Sequence, residues 1–530
     1  MAQASPFPND DRTGDARPCR PTPGAAHGTV HNVRTHHEWT PRPLTPVGWF
    51  AHEQGVAKLT ESFRAIPAGE RVRLAKKTSN LFRGRTKATN QGLDVSGLNR
   101  VIAVDPVELT ADVQGMCTYE DLVDTTLPYG LLPYVVPELK TITLGGAVTG
   151  MGVESSAFRS GLPHESVVEM DILTGTGDVV TCSRQTEPEF FRAFPNSYGS
   201  LGYAVRLRIR LERVAPYVDL RHVRFHDLDA LTAELTRIVD DKAYDGAPVH
   251  YLDGVVFSED ESYLVLGTWA DEPAGPPSSY AGTAPGKRIY YRSIQHPAGV
   301  LRDSMSIRDY IWRWDTDWFW CSRAFGAQDP RIRRFWPGTL LRSEFYWRLI
   351  GYDRRFDIAD RIEAANGRPA RERVVQDVEV VAERLPEFLR WFLRSCEIQP
   401  VWLCPIVLAD GAGSGAADEV ADAPGASRDD APRAGRPWPL YPLSAGQTWV
   451  NVGFWSSVPV EEGSPAGAFN RRVEAEVARL GGHKSLYSEA FYSEEDFRRL
   501  YGGDLPDRMK ERWDPDGRFP TLYQKTVGGS

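Results

Sequence analysis

Between Gly48 and Ile66 the apolar positions Val56, Leu59, Phe63 and Ile66 recur every three or four residues, the period of one helix face. The period then shortens to two. Residues 72–75, 101–104 and 110–113 predict short strands, and a helix over 118–126 carries Tyr119 and Leu122 on one side. Residues 167–173 and 179–182 flank the turn Thr174-Gly175-Thr176-Gly177-Asp178 and predict a hairpin. Residues 205–211 alternate Val, Leu, Ile and Leu with Arg, a strand with one dry face. Beyond Pro216 strands are expected at 218–224, 249–257, 262–269 and 449–455. Helices are expected at 229–240, 470–480 and 493–501, the last opened by Ser493 with Asp496 three residues on. Residues 373–377 are expected to run into a helix with Val381 and Leu385 facing inward. Short strands, few helices and no internal repeat describe an α+β chain.

Two stretches lack any such period. Residues 1–45, rich in Pro, Gly, Asp, Thr and His, read as a disordered leader, and 410–436, rich in Ala, Gly, Asp and Pro, as a flexible insertion. A length of 530 residues exceeds one hydrophobic core, and the change of pattern near Pro216 divides the rest into 46–215 and 216–530. The net charge of −9 argues against general nucleic-acid binding. No apolar run is long enough to span a bilayer, and residues 1–24 contain no apolar signal core. Six cysteines without a Cys-x-x-Cys pair indicate reduced thiols inside the cell and no metal site.

The densest chemistry lies in Thr141-Ile142-Thr143-Leu144-Gly145-Gly146-Ala147-Val148-Thr149-Gly150-Met151-Gly152-Val153-Glu154-Ser155-Ser156. Four glycines in eight residues allow close backbone approach to a ligand. Exposed N–H groups there suit an anion-binding nest, with Thr143, Ser155 and Ser156 to hydrogen-bond phosphate oxygens. The spacing is neither Gly-x-Gly-x-x-Gly nor a P-loop. Downstream follow the hairpin, Ser160-Gly161-Leu162-Pro163-His164-Glu165, and Tyr198-Gly199-Ser200-Leu201-Gly202-Tyr203-Ala204-Val205.

This series resembles the FAD-binding domain of the vanillyl-alcohol-oxidase and p-cresol-methylhydroxylase (PCMH) class. Pro137-Glu138-Leu139, Val374-Val375-Gln376-Asp377, Pro400-Val401-Trp402-Leu403-Cys404-Pro405 and Phe519-Pro520-Thr521-Leu522-Tyr523 look like the delta-24-sterol reductase family. The stretch from Arg73 to Arg83 resembles actinobacterial members that reduce a methylene-branched fatty acyl chain, the last step towards 10-methylstearic (tuberculostearic) acid. The resemblance implies a two-subdomain PCMH-type FAD-binding domain followed by an α+β substrate or cap domain, with NADPH as reductant. It implies cofactor contacts from Lys77, Thr78, Ser79, Asn80 and Arg83 in a first phosphate loop. Further contacts are expected from Thr143, Gly145, Gly146, Gly150, Gly152, Ser155, Ser156, Gly161, Gly199, Gly202 and Val205. Many relatives attach flavin through a histidine near that loop; none occurs between His52 and His164, so the FAD is expected to be non-covalent. His164 is a candidate neighbour of the isoalloxazine.

An isolated alkene offers no electron sink, so its reduction needs a hydride on one carbon and an acid for the other. Asp377 is the leading acid, its alternative role being a helix N-cap. Glu154 and Tyr487 are further catalytic candidates and Cys404 a weaker one. Four tryptophans at 312, 314, 318 and 320, with Arg331, Arg333, Arg334 and Arg342 beyond, suggest either a surface for phospholipid or an aromatic core. The reading that follows is an NADPH-driven reductase of a lipid double bond, cytoplasmic and peripheral on the inner face of the membrane, with a methyltransferase as possible partner. A sterol-type or other isoprenoid reductase, an alcohol or sugar oxidase, and a non-catalytic flavin-dependent lipid-binding protein are the alternatives.

Overall fold

The structure, a computed structural model, describes residues 44–76, 82, 92–150, 152–280, 289–356, 361, 367, 369–408 and 436–527. The leader, most of the first phosphate loop (Lys77, Thr78, Ser79, Asn80, Arg83) and nearly all of the 410–436 insertion lie outside the described residues. The expected first helix is Gly48–Arg64, burying Leu59 and Phe63. Residues 72–75 do not make a strand: Leu74 forms one isolated bridge to Leu93.

The first sheet comprises β1 (Val101–Asp105), β2 (Thr110–Gln114), β3 (Leu131–Pro133), β4 (Val167–Leu173), β5 (Val179–Ser183) and β6 (Tyr203–Arg213). Its order is β1-β2-β6-β4-β5, every pair antiparallel, with β3 on the far end of β6. The arginines of β6 alternate with its core residues, yet Arg206 is buried. Its guanidinium reaches Asp112 at 2.7 Å, Glu169 at 2.5 Å and Asp171 at 2.6 Å, so the far face carries an ion cluster.

The second sheet is built from β7 (Tyr217–Phe225), β10 (Tyr251–Ser258), β11 (Glu261–Ala270), β12 (Val300–Ser306), β13 (Arg371–Val381), β14 (Val401–Ile406), β15 (Trp449–Pro459) and β16 (His483–Lys484). The small pair β8 (Ala243–Tyr244) and β9 (Ala247–Pro248) stands apart. The order is β12-β7-β11-β10-β14-β15-β13-β16. Alternation gives each strand two distinct faces. Val374, Val378, Val380, Leu403, Val450, Val452 and Phe454 pack with the helices Leu228–Asp241, Leu385–Ser395 and Ala468–Arg479. The other face carries Asp253, Trp402, Cys404, Asn451, Gly453, Trp455, Asp377 and Glu379, and its apolar members join the hydrophobic core that also holds the first sheet.

One expectation fails here and one open alternative is decided. Residues 373–377 do not lead into a helix; they belong to an eleven-residue strand paired with β15 along its length, and the helix begins at Leu385. Val374, Val378 and Val380 share one face, a period of two that outweighs any N-cap role for Asp377. The tryptophan-rich segment is core: Trp312, Trp314, Trp318 and Trp320 are all buried, because the second sheet's inner face needs large rings to cover it. Among the described residues no helix is long and apolar enough to cross a membrane.

Candidate active site

The glycine-rich segment folds into the helix Leu144–Thr149, capped by Thr143, whose hydroxyl accepts from Gly146 N at 3.2 Å. Leu144 N donates to Cys117 O and Gly145 N to Gly115 O. The first three N–H groups are therefore satisfied by protein, which corrects the expectation of an exposed nest. Gly145 serves packing: a Cβ there would lie 2.6 Å from Gly115 O. Gly146 is exposed, and a Cβ on it would meet only Thr143 Oγ1, at 2.8 Å. It offers a ligand bare backbone surface rather than donors.

Gly152 is wedged between the Pro137 and Pro163 rings, and a Cβ at Gly150 would lie 3.3 Å from the Tyr198 ring. Gly161 (φ 70°), Gly199 (φ 75°) and Gly202 (φ 131°) hold backbone conformations that side chains disfavour. Val205 is buried and its carbonyl accepts from Gly115 N. Ser155 and Ser156 are spent within the protein. Ser155 Oγ donates to Glu154 at 2.7 Å and lies 2.9 Å from the Tyr310 hydroxyl, and Ser156 Oγ donates to Tyr134 O. Neither is placed to bind phosphate.

The loop after the helix Pro188–Ala193 closes on this segment, Tyr198 N donating to Thr149 O at 2.7 Å. Asn196 Oδ1, Ser197 Oγ and Ser200 Oγ are buried there without a hydrogen-bond partner among the described residues. Buried polar atoms are rarely left so unless a ligand completes them. The cradle of exposed Gly146, buried Gly150 and these three atoms thus fits a polar, extended cofactor such as FAD.

Glu154 lies in a fully buried network. Arg313 donates to Glu154 at 2.9 Å and to Asp253 at 2.7 Å, while Trp402 Nε1 donates to Asp253 at 3.2 Å. Glu138, which sequence reasoning did not single out, sits against Glu154, and burial with that neighbouring carboxylate pushes its pKa well up. Committed to Arg313, Glu154 ties the glycine-rich segment to β10. Burial also raises the Cys404 thiol, a packed side chain of β14. His164 packs edge-on against Trp438 at 4.5 Å, and burial holds it neutral with a pKa of about 3.

Asp377 and Tyr487 meet on the second sheet. In register, Trp402, Gly453 and Asp377 stand side by side, with Cys404, Asn451 and Glu379 in the next row. Gly453 makes room for the carboxylate, since a Cβ would fall 2.5 Å from Asp377 Oδ1. Asn451 Nδ2 donates to Asp377 at 3.5 Å, and the Tyr487 hydroxyl hydrogen-bonds the same carboxyl while accepting from Trp455 Nε1 at 2.9 Å. Burial outweighs those hydrogen bonds and pushes Asp377 up to about 7. Glu379 is also raised well above the ordinary carboxyl range, by burial first; Ser485 donates to it at 2.8 Å and Tyr441 at 3.3 Å.

Phe82 walls this site. Its ring centroid lies 5.0 Å from Trp455, 5.3 Å from Trp347 and 5.5 Å from Trp318, and Phe82 N donates to Tyr487 O. An open cleft beside it is lined by Phe82, Arg373, Val375, Asn470 and Glu489. Glu379, Asn451, Gly453 and Phe82 were missed from sequence. The alternation in 371–381 could have found Glu379, because Asp377 and Glu379 fall on one face once the segment is read as a strand. Among the described residues no cluster suited to a metal ion occurs.

Comparison with known proteins bears on the cofactor. Residues 55–183 match the FAD binding domain family. The human Delta(24)-sterol reductase is 23% identical over 454 residues, 84% of this chain and 80% of its own. The Arabidopsis thaliana Delta(24)-sterol reductase is 24% identical over 459 residues, covering 84% and 78%. Cytokinin dehydrogenase 6 of rice is 33% identical over 145 residues, 27% of each chain. The protein is an FAD-dependent oxidoreductase whose cofactor domain includes residues 55–183.

Proposed function

We propose that the protein reduces an isolated carbon–carbon double bond in a lipid, drawing electrons from NADPH through non-covalent FAD. The substrate we favour is a methylene-branched acyl chain of a phospholipid, giving the 10-methylstearoyl product, and a methyltransferase that installs the branch would precede it. The observation that carries the reading is Asp377: a carboxyl raised to about 7, hydrogen-bonded by Tyr487 and Asn451, beside a wall of Phe82, Trp318, Trp347 and Trp455. A sterol-type or other isoprenoid alkene is the second reading, favoured by sterol reductases matching most of the chain.

Both substrates give a tertiary cation when the less substituted carbon is protonated. Bound FAD, once reduced, supplies the hydride. Asp377 delivers the proton and is left as carboxylate, which Tyr487 and Asn451 stabilise. The aromatic rings exclude water that would trap the cation, and their faces attract its charge. Lys77, Thr78, Ser79, Asn80 and Arg83 are proposed to bind the FAD phosphates.

Isotopic labelling tests the order of events. In D₂O, a methylene-branched substrate is expected to gain deuterium in the new methyl group. Deuteride from labelled NADPH goes to the branching carbon, unless it exchanges with solvent on the way. Solvent deuterium found at the branching carbon alone refutes the mechanism. Reduction of a sterol side chain but not of the branched acyl lipid selects the second reading.

A further inference from the structure

Of the two readings of the aromatic–arginine segment, lipid surface or core, its tryptophans take the core, and what reaches the surface lies just beyond them. Asp329 caps the short helix Pro330–Arg333, accepting from Arg331 N. From there Ile332 is 45% and Phe335 82% exposed, the latter among the most exposed large apolar side chains of the described residues. Arg331 and Arg334 flank them, exposed and without an ion pair among the described residues. This tip is held from below: buried Arg333 makes a two-pronged ion pair with buried Asp317, at 2.7 and 2.8 Å. Ile332 and Phe335, one turn apart and rimmed by the two arginines, make an apolar patch with a charged border, the kind of surface that takes a partner.

The same stretch leads inward. Trp336 stacks edge-on against Phe345, at 6.1 Å, at the start of the helix Ser343–Phe356. Two residues on, Trp347 touches Phe82 and Trp318 in the wall beside Asp377. Surface tip and pocket wall are thus joined by less than twenty residues of chain.

We propose that Arg331, Ile332, Arg334 and Phe335 dock the protein on an anionic phospholipid surface. The arginines match the headgroup charge and the two apolar side chains enter the acyl boundary. Docking sets on the bilayer that holds the substrate the same stretch of chain that continues into the wall of the reduction site, and so rests on the lipid reading of the proposed function.

The test is co-sedimentation of the full FAD-loaded chain with vesicles of phosphatidylglycerol and phosphatidylcholine in equal parts, and with phosphatidylcholine alone. Pelleting with the anionic vesicles is expected, weakening as salt rises. The double change Arg331→Ala and Arg334→Ala should weaken it by roughly 20- to 30-fold, about fivefold for each arginine. Phe335→Ala should weaken it about tenfold. A chain that stays in the supernatant, or variants that pellet like the parent, overturn the proposal. So does self-association that these changes abolish without any vesicle binding. Reduction of a short-chain, freely soluble alkene separates the two ideas, because the variants should retain it. A parent that pellets but reduces no alkene loses the reductase reading and keeps the docking surface; one that reduces the soluble alkene without pelleting loses the docking surface alone.

Discussion

Asp377 combines a raised pKa with two hydrogen-bonding neighbours, and both consequences can be measured. An acid with pKa near 7 is protonated below that value, so alkene reduction should fall about tenfold per pH unit above about 7. Flavin reduction by NADPH does not use this proton and should lack that limb. Asp377→Asn should slow alkene reduction by 10² or more while sparing flavin reduction. An unimpaired variant moves the acid elsewhere, Tyr487 being next because it touches the same carboxyl. Two adjacent glycines give a second contrast. Gly145→Ala forces a Cβ to 2.6 Å from Gly115 O and should lower the melting temperature. Gly146→Val meets only a side chain that can rotate, so it should keep the fold and lose FAD, read as the flavin-to-protein ratio of the purified protein.

At the level of elements, the site depends on three strands holding register. Gly453 of β15 is the residue opposite Asp377 on β13, and its missing side chain sets where the carboxyl rests. Gly453→Ala should displace Asp377 from Tyr487 and Asn451. The expected result is a loss of alkene reduction larger than the loss of stability, with the pH limb near 7 shifted. A variant with unchanged rate and unchanged pH profile would show that the carboxyl does not need that niche. The Arg313 bridge works on a larger span, since it joins Glu154, just after the cofactor segment, to Asp253 of β10. Removing one partner of such a buried set leaves a charge uncompensated, at a cost of about 3–5 kcal/mol.

For the molecule as a whole, buried titrating groups set opposing limits on stability. His164, His222 and His483 are buried and held neutral near 3, so the unfolded chain binds more protons than the folded one below about 6.5. Stability therefore falls as pH drops from about 6.5 towards 3. Asp377 has the opposite sign: its folded pKa lies above the unfolded value, so the folded state holds the extra proton and stability falls as pH rises from about 4 to 7. Glu138 and Glu379 act in the same direction. A broad maximum between about pH 4 and 6.5 is expected in thermal denaturation. Asp377→Asn should flatten the alkaline side, and an unchanged alkaline slope would contradict the raised pKa.

The sequence determined what local chemistry and periodicity carry. The helix Gly48–Arg64, the β4–β5 hairpin, β6, and the Ser493 cap follow from residues close in the chain. It also named Asp377 and Tyr487, though as separate residues. Their meeting was decided only by tertiary structure, because β13 and the segment after β16 lie about a hundred residues apart and are joined by the sheet. Burial worked the same way. Four tryptophans and an arginine at 312–320 read equally well as surface or core until the second sheet supplied a face to cover, and the exposed place passed to Phe335. Which of two adjacent glycines packs and which stays open also depends on Gly115, a distant backbone that no local pattern could reveal.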